Sequence, residues 1–285
     1  MSKIHLKSYS KINLNLRVIK KLNNGLHKIQ SIITFCELRD DIFISSSFLN
    51  KDIIVFTGKF GKKIKNKNLI YETLKKLRKK KIIKKKYFNF KVCKNIPVGA
   101  GLGGGSSNAA ILINYFLKRS KVELKKNSIF NLAKEIGSDV PIFLAKLRNF
   151  QYESKNFLFL NNKKPLYILL IFPNIFSSTK TIYKKNKIFS KSRKINYFQI
   201  NRSNKAIKFL KNEKNDLQKA VIEKHPIIEK VLKNISKIKG CHFSRITGSG
   251  STCIGVFSSK KYCYDGKKLM KKKFPNFWIQ ASKTI

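Results

Sequence analysis

From Ile12 to Val18 the chain alternates, with apolar Ile12, Leu14, Leu16 and Val18 separated by polar residues, which is the period of a strand with one buried face. The spacing predicts a strand over 12–18 that carries Lys11 and Asn13 on its polar face. Turn-forming residues in "KKLNNGLHK" interrupt the pattern, and "IQSIITFCEL" and "DIFISSS" predict two further strands. The period then changes. In "NLIYETLKKLRKKK", Ile70, Leu74 and Leu77 form a single helical stripe and lysines cover the rest as a solvated face. "YFNFKVCK" alternates again through Phe88, Phe90 and Val92 and predicts a strand, while "NAAILINYFLK" has helical composition. "NSIFNLAKEIG" predicts a helix with Ser128 as N-cap, a stripe through Ile129, Leu132, Ala133 and Ile136, and Gly137 as its stop.

The second half opens with "LYILLIFP", a buried strand, and passes through a basic, low-complexity stretch at about 184–214. Helical character returns in "NDLQKAVIEKHPIIEKVLKNI". The end reads as strand, helix and strand through "HFSRITGSGSTCIGVF", "KYCYDGKKLMKKKF" and "NFWIQAS". These elements predict an α+β chain in two lobes, 1–155 and 156–285. No apolar run approaches the roughly 18 residues of a membrane span. The amino-terminal "MSKIHLKSYSK" has no apolar signal core, so the cytoplasm is the expected compartment. Five cysteines without a CxxC spacing indicate neither a disulfide framework nor a zinc site. The formal net charge of +49 taken alone would suit nucleic acid. The lysines are nevertheless spread along nearly the whole chain in company with isoleucine and asparagine, as codon bias in an AT-rich genome would also produce.

Between the strand at 87–94 and the following helix lies "NIPVGAGLGGGSS", with glycines at 99, 101, 103, 104 and 105. Without Cβ atoms, such a loop can adopt positive φ and bring its backbone against a ligand. At a helix start the N–H groups are unpaired and the macrodipole is positive, so the natural guest is a phosphate. A ligand-free turn needs one or two glycines, not five. The Walker pattern GxxxxGK[ST] is absent. A GxGxxG occurs at Gly99, Gly101 and Gly104 with Glu123 downstream, but "SKVELKKN" is a poor parallel strand and the preceding chain does not read as βαβ. The protein-kinase signatures HRD and DFG are missing as well.

Four stretches taken together, "SYSKINLNLRV", "PVGAGLGGGSSNAA", "IGSDVPIFL" and "SRITGSGSTCIGVF", resemble in order the motifs of the GHMP small-molecule kinases. The resemblance implies their fold, a lobe like domain 2 of ribosomal protein S5 followed by a GHMP carboxy-terminal α+β lobe. It also implies an ATP-dependent kinase with an alcohol as acceptor. The GGGSSNAA loop and "GLHKIQSIITF" are similar to those of a member acting on a cytidyl-linked polyol in non-mevalonate isoprenoid synthesis; a different GHMP kinase, such as one for homoserine, and an RNA-binding protein are the alternatives. ATP would be held by Pro97, Val98, Gly99, Ala100, Gly101, Leu102, Gly103, Gly104, Gly105, Ser106 and Ser107.

Asp139 falls at the family's catalytic aspartate, as base or orienter of the acceptor hydroxyl, although an Asp before Val-Pro is also a good helix N-cap. Lys11 matches the lysine beside it. Asn13 would contact substrate, His27 would recognise cytosine and Tyr183 would stack on the base. Leu26 stands where the family commonly has a tyrosine. Gly248, Ser249 and Gly250 would close over phosphates or substrate. Mg²⁺ would be held mainly by the nucleotide phosphates, with no protein metal cage. The expected partners are the two small molecules alone, with no membrane, no specific nucleic acid, and a monomeric or homodimeric chain.

Overall fold

The computed structural model describes residues 3–23, 25–64, 68–144, 150–153, 156–159, 165–193 and 203–285. Among them no helix is long and apolar enough to cross a membrane. The chain forms two compact units interleaved in sequence: 1–10, 38–98 and 103–146 in the first, and 11–37, 99–102 and 147–285 in the second.

Strands β1 (Ile4–Asn13) and β3 (His27–Ser46) pair with each other and run through both units. In the first unit the later half of β3 is antiparallel to β5 (Phe88–Cys93), with Asp41 opposite Cys93, and β5 is parallel to β4 (Ile53–Thr57), with Ile53 opposite Asn89. Helix α1 (Leu69–Lys79) begins where Asn68 accepts hydrogen bonds from the Ile70 and Tyr71 N–H groups, an N-cap just ahead of the apolar stripe. Helix α2 (Gly104–Leu117) packs against α1 and against α4 (Val140–Leu144), and α3 (Lys126–Ile136) packs beside α4.

Nearly the whole circumference of α2 is buried, including Asn108, Ala109, Leu112, Ile113 and Phe116, so it is the central helix of this unit. Truncating Leu112, which is fully buried, to alanine should cost about 3 kcal/mol. The sequence pattern suggested a helix from Asn108. The helix in fact starts four residues earlier, at Gly104, because Gly103 at φ +71° turns the chain into it and Ser107 N donates to Gly103 O at 2.8 Å. Ser128, expected to cap α3, lies inside its first turn instead, with its N–H donating to Lys125 O at 2.9 Å. Gly137 ends α3 as expected.

In the second unit the early half of β3 pairs with β2 (Arg17–Lys21) and with β6 (Phe150–Glu153), and β6 pairs with β7 (Asn156–Phe159). The two strands expected over 29–38 and 41–47 are thus one continuous β3. The strand expected over 12–18 is divided. The Asn15 side chain takes over the local pairing by accepting from Ile32 N at 2.6 Å, so β1 ends at Asn13 and β2 begins at Arg17.

A second, antiparallel sheet has the order β11–β8–β10–β9, built from β8 (Tyr167–Phe172), β9 (Cys241–Ile246), β10 (Cys253–Phe257) and β11 (Trp278–Lys283). Its helices are α5 (Thr179–Lys185), α6 (Ser203–Asn212), α7 (Gln218–Lys224), α8 (Ile227–Ser236) and α9 (Lys260–Lys273). Leu169, Ile171, Val231, Ile235 and Met270 share one core with Leu16 and Val18. Helix α6 falls within the stretch read as low-complexity, of which residues 194–202 lie outside the described part.

Candidate active site

The glycine loop alternates between two backbone regions. Gly99, Gly101 and Gly103 have φ of +71°, +77° and +71°, while Ala100 and Leu102 between them are buried. The intervening carbonyls are fastened inside the second unit. Thr252 Oγ1 donates to Ala100 O at 2.6 Å and Lys11 N donates to Leu102 O at 3.0 Å. A Cβ on Gly101 would lie 2.8 Å from Gly250 O and 3.2 Å from Thr247 O, so conformation and space both require glycine there. Past Gly103 the first N–H groups of α2 have no intrahelical acceptor and carry the positive end of its dipole. Pro97 is buried, Val98 and Gly105 are exposed, and Ser106 is half-buried. Ser107 is buried and accepts from Ser8 Oγ at 2.8 Å, which turns its oxygen inward. A crimped loop opening into a helix N-terminus fits a phosphate chain.

Strand β1 brings Lys11 and Asn13 beneath the turn 247–252. The alternation had assigned them a polar face, but both are buried, at 5% and 3% exposure. Lys11 Nζ donates to Asn13 Oδ1 at 2.6 Å, and Asn13 Nδ2 donates to Ser31 Oγ at 2.8 Å. Asn13 N donates to Thr247 Oγ1 at 2.8 Å. A Cβ on Gly248, at φ +59°, would lie 3.4 Å from Asn13 Oδ1, 3.5 Å from Lys11 Nζ and 3.6 Å from Gly101 O. The second unit therefore gathers Lys11, Asn13, Gly101, Leu102 and Gly248 within a few ångströms. Asn215 holds the turn from behind, its Nδ2 donating to Gly248 O at 2.8 Å, and Ser249 Oγ meets Thr179 Oγ1 at 2.9 Å. Thr247, Thr252 and Asn215 escaped the sequence reading. The two threonines lie inside the quoted motif "SRITGSGSTCIGVF", but a hydroxyl that holds another segment leaves no local signature.

His27 and Tyr183, also both in the second unit, come into ring contact, with centroids 4.9 Å apart and planes tilted by 35°. Tyr183 is partly buried and also packs against the hydrophobic core, while Leu26 is 62% exposed. Burial, with Lys21 adding to it, lowers the His27 pKa below the ordinary imidazole value, so the ring is neutral at pH 7. Arg17 donates from Nε and Nη2 to Glu213 at 2.9 and 2.7 Å, and Asn15 Nδ2 donates to the same carboxylate at 2.6 Å. Burial alone would raise the Glu213 pKa; the bonds from Arg17 and Asn15 and the Arg17 charge outweigh it and hold the group below its ordinary value. Nothing in the sequence pattern marked this pair, whose partners stand far apart in the chain.

Asp139 belongs to the first unit, half-buried and one residue ahead of α4. Its carbonyl accepts from Ile142 N at 3.1 Å, which closes the first turn. Ser106 and Ser107, at the start of α2, lie in the same unit. Among the described residues no group of three or more His, Cys, Asp and Glu side chains could hold a metal ion.

A glycine-rich turn leading into the N-terminus of a buried helix occurs in several folds, and the whole chain decides among them. Residues 68–146 match the GHMP kinases N terminal domain and residues 200–262 match the GHMP kinases C terminal domain. The chain belongs to the GHMP kinases and is an ATP-dependent small-molecule kinase of two-lobed α+β fold. It is 38% identical, over 288 residues that cover all of both chains, to the 4-diphosphocytidyl-2-C-methyl-D-erythritol kinase of Pelagibacter ubique. Among solved structures it is similar to a 4-(cytidine 5'-diphospho)-2C-methyl-D-erythritol kinase, with a TM-score of 0.77 at 21% identity covering 99% of this chain and 100% of the other. It is also similar to the homoserine kinase of Cytophaga hutchinsonii, with a TM-score of 0.69 at 14% identity covering 100% and 95%.

Proposed function

We propose that the chain transfers the γ-phosphoryl group of ATP to the 2-hydroxyl of 4-diphosphocytidyl-2-C-methyl-D-erythritol, giving the 2-phosphate and ADP, as a cytoplasmic step in isoprenoid-precursor synthesis. The full-length relative at 38% identity supports this acceptor. The observation that carries the site is the alternating loop at Gly99, Gly101 and Gly103 leading into the N-terminus of α2. In such a transfer the acceptor oxygen bonds to the γ-phosphorus as the bridging P–O bond to the β-phosphate breaks, and the protein contributes positioning and charge stabilisation. The first-turn N–H groups of α2 and the Ser106 hydroxyl would hold the phosphates. Mg²⁺, bound through nucleotide phosphates, would neutralise part of their charge.

Asp139 would take the hydroxyl proton or orient it, and Lys11 would stabilise the charge that develops on oxygen. Asn13 holds the Lys11 ammonium in one direction, so the amine arrives pre-oriented. Gly248, Ser249 and Gly250 would line the acceptor side of the loop. His27, neutral and able to donate from one ring nitrogen and accept on the other, suits an uncharged pyrimidine, with Tyr183 beside it as the stacking surface. An ADP-release assay with the cytidyl polyol, homoserine and mevalonate as acceptors tests the reading. Turnover with the cytidyl polyol should exceed the others by orders of magnitude. Asp139→Asn should lower kcat by about a hundredfold or more while ATP still binds. Equal turnover of homoserine, or full activity in Asp139→Asn, would refute the assignment.

A further inference from the structure

Beneath the first turn of α2 the first unit buries an ion pair that none of the roles above uses. Asp40 is fully buried inside β3 and Lys94, just past β5, is 3% exposed; their side chains form a direct salt bridge. The Asp40 carboxylate also accepts from Asn95 N at 2.8 Å and Ile96 N at 2.9 Å, so the chain entering the glycine loop turns around it. Asn108, one turn into α2, completes the cluster. With its amide nitrogen facing the acceptors, its two hydrogens are shared among Ser8 Oγ at 2.7 Å, Gly104 O at 3.1 Å and Asp40 Oδ2 at 3.3 Å, while its oxygen accepts from Lys94 Nζ at 3.2 Å. Ser8 in turn donates to Ser107 Oγ at 2.8 Å. A Cβ on Gly104 would lie 3.3 Å from Lys94 Nζ, which sets the ammonium directly under the start of the helix.

A pair buried this deeply adds little to stability, because desolvating two charges offsets their attraction; apolar side chains of the same volume would hold the fold as well. What it provides is direction: fixed donors and acceptors that tie the segment entering the loop, 95–96, to the segment leaving it, 104–108. We infer that Lys94 and Asp40, acting through Asn108, are positioning residues for the nucleotide, holding the first-turn N–H groups of α2 in the orientation that receives phosphate. The inference rests on the loop being the ATP site. With the pair removed, those N–H groups sample other orientations and the ligand must order them on binding, which weakens nucleotide affinity and spares the acceptor.

The double variant Asp40→Asn/Lys94→Met removes both charges yet keeps an amide oxygen for Asn95 and Ile96 N–H. Asn108→Ala cuts only the link to the helix. Calorimetric binding of a non-hydrolysable ATP analogue and the KM for each substrate read the effect. Both variants should unfold cooperatively, bind the analogue about tenfold more weakly, and raise KM for ATP with acceptor KM within about twofold of the parent. Affinity within about twofold of the parent in both variants would overturn the inference, as would a proportional loss for both substrates. If the double variant fails to fold, Asn108→Ala decides by the same criteria. If the parent chain binds no ATP analogue, the reading of the loop falls and the inference with it; parent binding with unchanged variants overturns the inference alone.

Discussion

Gly25 and Gly101 share the same φ of +77° in the second unit, but among the described residues nothing beyond its chain neighbours lies within 4 Å of a Cβ on Gly25, whereas a Cβ on Gly101 meets Gly250 O at 2.8 Å. The pair separates conformational strain from close approach. Gly25→Ala should cost about 1 kcal/mol, the penalty of a left-handed alanine. Gly101→Ala carries that penalty and must also move the loop by about half an ångström to reach ordinary carbon–oxygen contact. That shift works against the Thr252–Ala100 and Lys11–Leu102 hydrogen bonds, of 2.6 and 3.0 Å, each worth about 1 kcal/mol. The total is about 3 kcal/mol. Gly99→Ala should fall between the two, because the atom it strikes belongs to Phe176, whose ring is 70% exposed and can swing aside. Trp278, the single tryptophan, lies largely buried in β11 of this unit, so urea unfolding followed by its fluorescence reads all three variants with one probe. The order Gly25, Gly99, Gly101 with a gap of about 2 kcal/mol between the extremes is the expected result. A Gly101→Ala midpoint within about 0.5 kcal/mol of Gly25→Ala would show that the loop does not depend on that close approach.

Because the folded Glu213 pKa is depressed, its stabilisation is complete above the ordinary carboxylate value and is lost as pH falls through the lower folded value. Acid unfolding should therefore show a component that Glu213→Gln abolishes; an unchanged pH profile in that variant would count against it. Arg17→Met removes the hydrogen-bonded cation from this buried carboxylate, leaving Arg193 at 3.8 Å, and should destabilise by about 2 kcal/mol at pH 7, measured by denaturant titration. His27→Ala should raise acceptor KM about tenfold while ATP KM stays put, and steady-state kinetics with the two substrates varied separately would expose any other pattern.

The elements themselves were largely legible, because they rest on local periodicity: α1, β5, β8 and the closing α9–β11 succession all follow apolar spacing, although the single strand expected through 242–257 is two, β9 and β10, on either side of the turn at 247–252. Misreadings arose where a partner far along the chain decides. The sequence around Arg39, Asp40 and Asp41 looks like an interruption between strands, yet β3 passes straight through it, since Asp40 finds Lys94 and two N–H groups more than fifty residues away. Lys11 and Asn13 occupy the polar half of an alternating pattern, and alternation cannot tell a solvated face from one covered by the turn at 247–252. The phosphate loop was readable for the opposite reason: its five glycines at 99, 101, 103, 104 and 105 encode backbone geometry directly, without needing a partner.

The interleaving of the two units bears on how the protein can be divided. The chain passes from one to the other at 10/11, 37/38, 98/99, 102/103 and 146/147, and two of those crossings bracket the loop segment Gly99–Leu102. A fragment beginning at Leu147 would contain the entire antiparallel sheet and its helices yet lack Leu16 and Val18 from their core, and also Lys11 and the Ala100 carbonyl that Thr252 holds. Splitting the gene at the apparent lobe boundary would thus yield two incomplete pieces.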